Sequence, residues 1–418
     1  MKSKFLLFLP LLFAGLLRAG DTLQISLAQA DSMFLRNNYR LLAAALDVKA
    51  QSAQMIQARL YPNPEFSIDF NAVDPQNERV FHVGESGEKA LEINQLILLG
   101  GKRRAQIDLA RSNVAIAELT LEDLVRELRF QLHKSYFALD RQRFLIDRYT
   151  RQMTLLQSLI DAYDEQSQKG NVALKDLARL KSEYLDLLNT RAQLYQEHFA
   201  EQTTLQTLLR TSAYILPAPL SLSYERYTQQ NFQDSTLLNL ALAGRPDILL
   251  ARQNETLAAQ NTRYQQSLAR PDLTLSASYD QRGGAFNHQI NLGASLPLPL
   301  WNRNQGNIQT AKIGESIARN NSDALLNNIS VEIANANRAY QQTLAEYNTM
   351  LRTFDQDYEV VLKGMSDNFR RGNINLIEFL DFFQAYNDAL DTVSGARQQL
   401  ATAGETLNYL TAKELFQK

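Results

Sequence analysis

Proline is missing from two very long stretches of the chain, and this feature limits the possible folds more than any other. The ten prolines all fall outside residues 76–216 and 300–418, and beyond residue 101 the first stretch has Gly170 as its one glycine. Stretches without breaking residues are typical of helices far longer than the globular average. A helix from about residue 103 to 169 would be roughly 100 Å long at 1.5 Å per residue. We therefore predict helices too long for an ordinary globular domain.

Residues in both stretches, nearly all of them apolar, recur at alternating spacings of three and four. In the second half the series is Leu376, Phe379, Phe383, Tyr386, Leu390 and Val393. In the first half it is Leu177, Leu180, Tyr184, Leu187, Arg191 and Leu194. A sustained repeat of 3.5 residues is typical of a coiled-coil seam. The long helices should therefore pack in pairs.

The two halves of the chain repeat each other. Pro64 matches Pro271 at an offset of 207, residues 99–102 match 300–303 at 201, and Gly170 matches Gly372 at 202. Each half shows a helix, two strands, a long helix, a glycine turn and a second long helix. The predicted organisation is a signal peptide over 1–19, a first repeat over 20–210, a linker over 211–236 and a second repeat over 237–418.

The N-terminus has the pattern of a secretory signal peptide. Lys2 and Lys4 precede an apolar stretch over residues 5–17, and Ala19 offers a small residue for cleavage. Such a stretch is too short for a spanning helix. We expect the mature chain to leave the cytoplasm and to contact any membrane through β-structure. Because the chain has no cysteine, it should not carry a lipid on a cysteine.

Four short segments alternate apolar and polar residues, as half-buried strands do. They are residues 66–73, 90–98, 273–280 and 289–296. Soluble hairpins would show the same weak signal. Four strands cannot close a barrel, however, and lipid does not tolerate an open sheet edge. If these strands span a membrane, three chains with twelve strands are the smallest assembly that leaves a lumen.

Composition and motifs argue against several classes of protein. The formal net charge of -2 is not that of a nucleic-acid binder. No nucleophile with a nearby base and no phosphate-binding loop is present, so an enzyme is disfavoured. The four histidines are far apart in sequence and show no metal-binding spacing. We predict neither a catalytic residue nor a bound metal or cofactor.

Three segments resemble the TolC-like outer-membrane efflux proteins of Gram-negative bacteria. They are residues 60–65 (LYPNPE), 95–103 (QLILLGGKR) and 298–306 (LPLWNRNQG), and they are most similar to the CzcC-type branch that serves heavy-metal efflux systems of the RND class. The resemblance covers essentially the whole mature chain. It implies a mainly α fold with a membrane β part: a homotrimer with a twelve-stranded outer-membrane barrel, four strands per chain, and an α-helical coiled-coil tunnel through the periplasm.

The resemblance also implies a function and partners. The chain would passively conduct substrate delivered by an inner-membrane pump, of the RND class, and a periplasmic adaptor protein. Heavy-metal cations are the favoured substrate, and export of organic compounds or type I protein secretion is the alternative. A secreted coiled-coil scaffold or adaptor that conducts nothing is the alternative from another class. The duplicated strand pair favours the channel, because a scaffold does not need it.

Both glycine turns are predicted to be the tips of helical hairpins. Glycine supplies the positive φ that a sharp helix ending requires. Asn375 should cap the returning second helix with Glu378 three residues later, whereas Ala173 at the equivalent first-half position cannot cap. From the resemblance, the tips would contact the adaptor through Gly170, Asn171, Val172, Leu174, Gly372, Asn373, Ile374 and Leu376.

One further set of site residues follows from the resemblance. Glu378 and Asp381 match the paired acidic positions of the periplasmic aperture, with Asp176 as their first-half counterpart. Threefold symmetry would turn them into carboxylate rings that attract cations, although a solvated helix face would look the same. The aperture should close differently from other members, since Ile374 replaces an arginine and Phe369 a tyrosine.

A further set follows from position beside the strands: Lys102, Arg103 and Arg104 come directly after the second strand, where they would meet anionic headgroups, although an ordinary solvated basic patch would look the same. Trp301 flanks a strand end and would suit an interfacial aromatic belt.

Overall fold

Long helices dominate the fold, which is described here from a computed structural model. The described residues are 22–219, 224–228, 231–283, 285–353 and 358–416, so the predicted signal peptide lies outside them. The helices are α1 (Leu27–Asn37), α2 (Tyr39–Ala58), α3 (Lys102–Gln168), α4 (Leu174–Leu209), α5 (Asp234–Gly244), α6 (Pro246–Leu268), α7 (Gln305–Thr353), α8 (Tyr358–Arg370) and α9 (Leu376–Thr411). The strands are β1 (Thr22–Ile25), β2 (Glu65–Phe70), β3 (Val73–Asp74), β4 (Arg79–Val80), β5 (Glu88–Ile97), β6 (Tyr214–Pro217), β7 (Leu273–Arg282) and β8 (Phe286–Ser295).

Helix α3 is the longest element, with 67 residues. Its C-terminal part pairs with α4, as the heptad spacing predicts, and its N-terminal part packs against α2 and α6. The corresponding part of the second half consists of α7 and α8, which pack against α9. Among the described residues, no helix is both long enough and apolar enough to cross a membrane.

The repeat is visible in the structure, but one of its offsets differs from the sequence match. Helices α2 and α6 begin at Tyr39 and Pro246, which keeps the offset of 207. After the strands, however, the left-handed residue before each long helix is Gly101 in the first half and Asn304 in the second, 203 positions apart. The match at 201, which aligned similar residue types, was therefore wrong by two positions. Backbone conformation defines the equivalence better, because a left-handed residue must end the turn.

The four strands anticipated from the alternating pattern form one antiparallel sheet. Its order is β2-β5-β7-β8, so the two halves meet at β5 and β7 while β2 and β8 are free edges. Even-numbered residues of β2, including Phe66 and Ile68, lie opposite odd-numbered residues of β5, including Ile93 and Leu91. Because side chains alternate across a strand, most apolar residues of the sheet share one face, and Leu96 of β5 is an exception. The other face carries Ser, Asn, Asp, Glu and Gln.

Two small sheets escaped the sequence analysis. Strands β3 and β4 form a hairpin within the loop between β2 and β5. Strands β1 and β6 pair in parallel, and β6 lies in the segment predicted to be a linker. A 3₁₀ turn at Glu225–Thr228 follows, and its Tyr227 is completely buried. The described part of this segment is therefore packed core rather than a simple connection.

The buried residues form two clusters. One cluster, called the waist here, joins β1, β6 and parts of α1, α3, α5, α7 and α9 around Tyr136, Tyr227 and Tyr340. The other, called the tip cluster, lies near the two glycine turns and joins α3, α4, α8 and α9 around Phe369, Phe379 and Phe383. All six members of the second-half heptad series are buried, which confirms that they form a packed seam.

Candidate functional site

The two glycine turns end α3 and α8 in the same way. Gly170 has a φ of +76° and Gly372 a φ of +75°. The next residues, Asn171 and Asn373, donate their backbone N–H groups to carbonyls five positions earlier at 2.9 Å. This is the hydrogen bond of a Schellman ending. A Cβ on either glycine would meet no atom within 4 Å, so the backbone conformation alone makes glycine necessary there.

The returning helices begin differently at the two tips. In the second half, Asn375 accepts a hydrogen bond from the Glu378 N–H at 3.0 Å, and the Glu378 carboxylate accepts one from the Asn375 N–H at 3.3 Å. This reciprocal pair is a capping box. In the first half, Ala173 makes no side-chain hydrogen bond at the start of α4. Both findings confirm what the sequence predicts.

The residues predicted to contact an adaptor do not all have a free side chain. Leu174 is 76% exposed, whereas Leu376 at the equivalent position of the second half is only 7% exposed and belongs to the tip cluster. Ile374 is half-buried against the same cluster, and Val172 is also half-buried. A direct partner contact by Leu376 is therefore excluded in this chain, because its side chain already packs against its own hairpin.

Aromatic stacking joins the two hairpins near their tips. Phe369 lies between Tyr163 of α3 and Phe379 of α9, with ring centroids 5.6 and 4.7 Å away. Arg370 adds a hydrogen bond to the Ser158 hydroxyl at 3.1 Å. Stacked pairs of this kind add about 0.5–1.5 kcal/mol each beyond burial. At the position where the resemblance leads us to expect a tyrosine, the chain thus uses apolar packing between its halves.

Glu378 and Asp381 are exposed on α9, and Asp176 is half-buried in the first turn of α4. Residues seven apart share a face of a helix, so Asp388 continues the line of Asp381. The same spacing relates Glu183 to Asp176 on α4. Two acidic stripes therefore run from the tips along the returning helices.

The stripes lead to an acidic groove between α3, α4 and α9. Its acidic side chains are Glu183, Asp186, Glu197, Asp388 and Asp391. Burial raises the pKa of Glu183, and the negative charges of Asp186 and Asp388 raise it further. The one arginine in the lining, Arg141, pairs with Asp391 at 2.6 Å. The groove therefore keeps an excess of negative charge.

A second group of carboxylates lies in the waist and is fully paired. His133 donates from Nδ1 to Glu405 at 2.9 Å and from Nε2 to Asp31 at 3.1 Å, so the ring carries both protons. Burial opposes this charge, but the two hydrogen bonds outweigh it and raise the pKa of His133 to about 9. Glu405 also accepts from Arg226 at 3.1 Å and from the Tyr227 hydroxyl. Sequence reasoning missed this network, since the hydrogen bonds that His133 and Glu405 make to Asp31, Arg226, Tyr227 and each other join residues 102–272 positions apart.

The basic residues after β5 are not all available to lipid. Lys102 is only 5% exposed and pairs with Asp272 at 2.7 Å, which ties the first half to the second. The prediction of a headgroup contact for Lys102 is therefore wrong. Arg103 donates to the Arg59 carbonyl and stacks on Tyr61, while Arg104 is exposed. Trp301 is 87% exposed, as an interfacial aromatic residue would be.

Over the ranges that the structure describes, no three acidic or histidine side chains form a metal-binding cluster. The carboxylates of the acidic groove present a negative field. Such a field attracts cations without holding one ion tightly.

The sequence and the fold of the chain are similar to those of known proteins. The chain is 22% identical over 391 residues to the cobalt-zinc-cadmium resistance protein CzcC of Cupriavidus metallidurans, covering 93% of this chain and 90% of that protein. The fold matches the crystal structure of CusC with a TM-score of 0.74, at 18% identity over 94% of this chain and 93% of the other. It matches the Campylobacter jejuni CmeC outer membrane channel with the same score, at 17% identity over 94% and 86%.

A family model covers both repeats. The outer membrane efflux protein model matches residues 32–213 and 237–413, which leaves the segment around β6 and Tyr227 largely between the two matches. The chain therefore belongs to the outer membrane efflux protein family, a family of channels and not of enzymes.

Proposed function

We propose that this chain forms the outer-membrane exit channel of a tripartite efflux system for heavy-metal cations. Three copies would form the channel, with the sheet in the outer membrane and the long helices in the periplasm. Substrate would arrive from an inner-membrane pump of the RND class through a periplasmic adaptor. The similarity to a cobalt-zinc-cadmium resistance protein supports this substrate class.

The acidic groove is the observation that carries the cation proposal. Five carboxylates line it, against one arginine that is already paired. We place the groove on the conduction path because the stripe from Glu378 and Asp381 runs into it along α9. A narrow path lined by one sign of charge concentrates ions of the opposite sign. Anionic organic substrates would be disfavoured along the same path.

The tips supply the proposed contact with the adaptor. Leu174, Asn171 and Asn373 are exposed there, and the glycine turns hold the loops in fixed conformations. At the other end of the helices, Arg104 and Trp301 are the exposed residues that we assign to the membrane interface. The organisation into two repeats that meet at β5 and β7 is part of the same proposal.

Growth tests of a deletion strain examine the substrate. The strain should be sensitive to cations such as zinc, cobalt or cadmium, and a gene copy should restore resistance. Sensitivity to detergents and antibiotics alone would contradict metal export and would favour the organic-compound alternative.

A bilayer measurement examines the groove directly. The double variant Glu183→Gln with Asp388→Asn should lower the cation-to-anion permeability ratio, measured as a reversal potential in a salt gradient. Glu165→Gln is the matched control, because it removes one exposed carboxylate of α3 outside the groove. Equal reversal potentials for the double variant and the unmodified channel would remove the groove from the conduction path.

A further inference from the structure

The loop between β2 and β5 brings an acid, a histidine and a serine together in a hydrogen-bonded group, called the loop triad here. His82 donates from Nδ1 to the Asp74 carboxylate at 2.7 Å. The Ser86 hydroxyl lies 3.0 Å from Nε2 of the same ring. In acyl-transfer sites the same arrangement activates a serine as the nucleophile, with histidine as the base and the acid as the group that orients it.

Arg79 fixes the direction of these hydrogen bonds. Its guanidinium lies 3.3 Å from His82 Nε2, and a guanidinium can only donate. Nε2 must therefore be an acceptor, so the ring proton lies on Nδ1 and faces Asp74. The Ser86 hydroxyl then donates to Nε2, which is the direction in which a base removes its proton.

The Asp74 carboxylate is held in its charged form. Besides the bond from His82, it accepts hydrogen bonds from the Asn77 side chain at 2.8 Å and from the N–H groups of Gln76 and Asn77 at 3.1 Å. The side-chain bonds from Asn77 and His82 lower the pKa of Asp74 to about 2. A fixed negative charge beside Nδ1 stabilises the imidazolium that forms when His82 takes a proton.

Burial divides the loop triad into a shielded base and an accessible nucleophile. His82 is only 6% exposed, whereas Ser86 is an exposed residue. Gly87 permits this close packing, because a Cβ there would lie 2.0 Å from the His82 carbonyl oxygen. Strand β7 also holds the turn, since the Gln281 side chain donates to the Gly84 carbonyl at 2.8 Å. The serine therefore has a fixed position that a small molecule can reach.

Arg79 supplies a positive charge at the same point. It is exposed, and it contacts the same nitrogen as Ser86, so its guanidinium lies beside the hydroxyl. A cation in this position stabilises the negative charge that develops on a carbonyl oxygen when the serine attacks. A base, a nucleophile and an electrostatic stabiliser thus meet in one short loop.

The loop lies at the end of the sheet that is remote from the long helices. Helix α2 leads into β2 and β5 leads into α3, so the loop joins the two opposite strand ends. In the proposed function the helices occupy the periplasm, and the loop is then outside the cell. The location of the loop rests on that proposed function, whereas its chemistry does not.

We propose that Ser86, His82 and Arg79, with Asp74 as the positioning residue, hydrolyse small carboxylic esters at the outer end of the channel. The Ser86 oxygen bonds to the ester carbonyl carbon while His82 Nε2 takes the hydroxyl proton. That proton passes to the departing alkoxide as the ester C–O bond breaks, which leaves the acyl group on Ser86. Water then attacks the acyl carbon, its proton passes through His82 to the Ser86 oxygen, and the carboxylic acid leaves.

A fluorophosphonate probe tests the nucleophile, because it modifies activated serines far faster than ordinary hydroxyls. In the purified full-length channel, the expected result is an adduct on Ser86 that mass spectrometry locates and that Ser86→Ala loses. Ser295→Ala is the matched control, because it removes another exposed serine of the sheet, and it should be labelled like the unmodified channel. No adduct on Ser86, or an equal adduct on Ser295, would overturn the proposal.

Two variants separate catalysis from a purely structural role. His82→Ala should slow labelling of Ser86 about 100-fold or more, and added imidazole should restore part of the rate because it replaces the missing base. Asp74→Asn should also slow labelling, but imidazole should give no rescue, since His82 is still present. Labelling that is unchanged in His82→Ala, or slowed without any rescue by imidazole, would remove His82 as the base.

Turnover and location are measured separately. The purified channel should release p-nitrophenol from p-nitrophenyl acetate, and Ser86→Ala should fall to the background rate. Labelling without turnover would overturn ester hydrolysis. A probe that cannot cross the outer membrane should label Ser86 on intact cells. Labelling only after the cells are broken would contradict the external location, and with it the proposed function, while leaving the chemistry of the loop triad intact.

Discussion

The waist network and the acidic groove are built from the same residue types, but their carboxylates behave in opposite ways. In the waist, Glu405 is buried among His133, Arg226 and Tyr227, and although burial opposes its charge, the hydrogen bond from His133 helps to lower its pKa to about 2. In the groove, burial and like charges raise the pKa of Glu183. In the waist, therefore, paired charges hold the helices together, whereas in the groove most carboxylates have no positive partner.

The largest effect on stability is expected when one carboxylate is removed from each region and the two losses are compared. Glu405→Gln should lower the free energy of unfolding by about 3–5 kcal/mol, because it leaves His133 and Arg226 buried without their partner. Glu183→Gln should change it by less than about 0.5 kcal/mol, since it also relieves repulsion. Thermal unfolding of the purified channel measures both. Equal losses in the two variants would contradict the distinction.

The waist should also give the channel a characteristic pH dependence. The raised pKa of His133 contributes stability that is complete below pH 6.5 and is lost as the pH rises through about 9. The lowered pKa of Glu405 contributes stability that is complete above pH 4.5 and is lost as the pH falls through about 2. The gain from His133 is on the order of 3 kcal/mol. Both contributions are therefore complete between pH 4.5 and 6.5.

Melting temperatures measured from pH 4 to 9.5 test this expectation. The unmodified channel should lose stability above pH 6.5, whereas His133→Gln should start from a lower value and show a flatter profile there. Parallel profiles for the two proteins would show that His133 does not carry the pH dependence. Conductance through the groove should not follow the same curve.

Glu378 has both a structural and an electrostatic role, because it is part of the capping box of α9 and also begins an acidic stripe. Asn375→Ala should cost about 1 kcal/mol and speed hydrogen exchange in the first turn of α9, with ion selectivity unchanged. Glu378→Gln should reduce ion selectivity and leave stability and hydrogen exchange unchanged, since glutamine keeps the capping box but loses the charge. Loss of selectivity in Asn375→Ala would mean that the cap itself positions the aperture.

The smallest effect is expected at the uncapped tip. Ala173→Asn should add about 0.5–1 kcal/mol to the local stability of α4, because it supplies the acceptor that the first half lacks. Hydrogen exchange at the start of α4 measures the gain. Unchanged hydrogen exchange at the start of α4 would contradict the prediction. If exchange at the start of α9 became slower instead, the two tips would be coupled.

Much of the architecture could be predicted from local signals. Missing prolines, heptad spacing and the glycines at 170 and 372 indicate long paired helices with sharp tips, because each is a property of a few adjacent residues. The cap by Asn375 is predictable for the same reason. The burial of Leu376 is also predictable, because this residue begins the heptad series of the second half. The exposure of Leu174 at the equivalent first-half position was not, since only packing against other helices distinguishes the two leucines.

The remaining errors concern contacts that depend on distant parts of the chain. The sequence around Lys102 is typical of a surface cation, because its partner Asp272 is 170 positions away. The His133 network likewise joins three separate helices. Strand β6 is only four residues long and pairs with a strand near the N-terminus. Such contacts are fixed by the three-dimensional arrangement and leave no periodic pattern in the sequence.

The internal repeat has a consequence for the kinetics of assembly. In the proposed homotrimer, where each chain carries two equivalent halves, a closed ring of six halves requires only three independent molecules to meet. If the halves were separate molecules, the amount of assembled ring would depend on a higher power of the protein concentration, and little ring would form at low concentration. Covalent linkage of the halves also ensures that the Lys102–Asp272 junction forms during folding of each chain, before any encounter between copies.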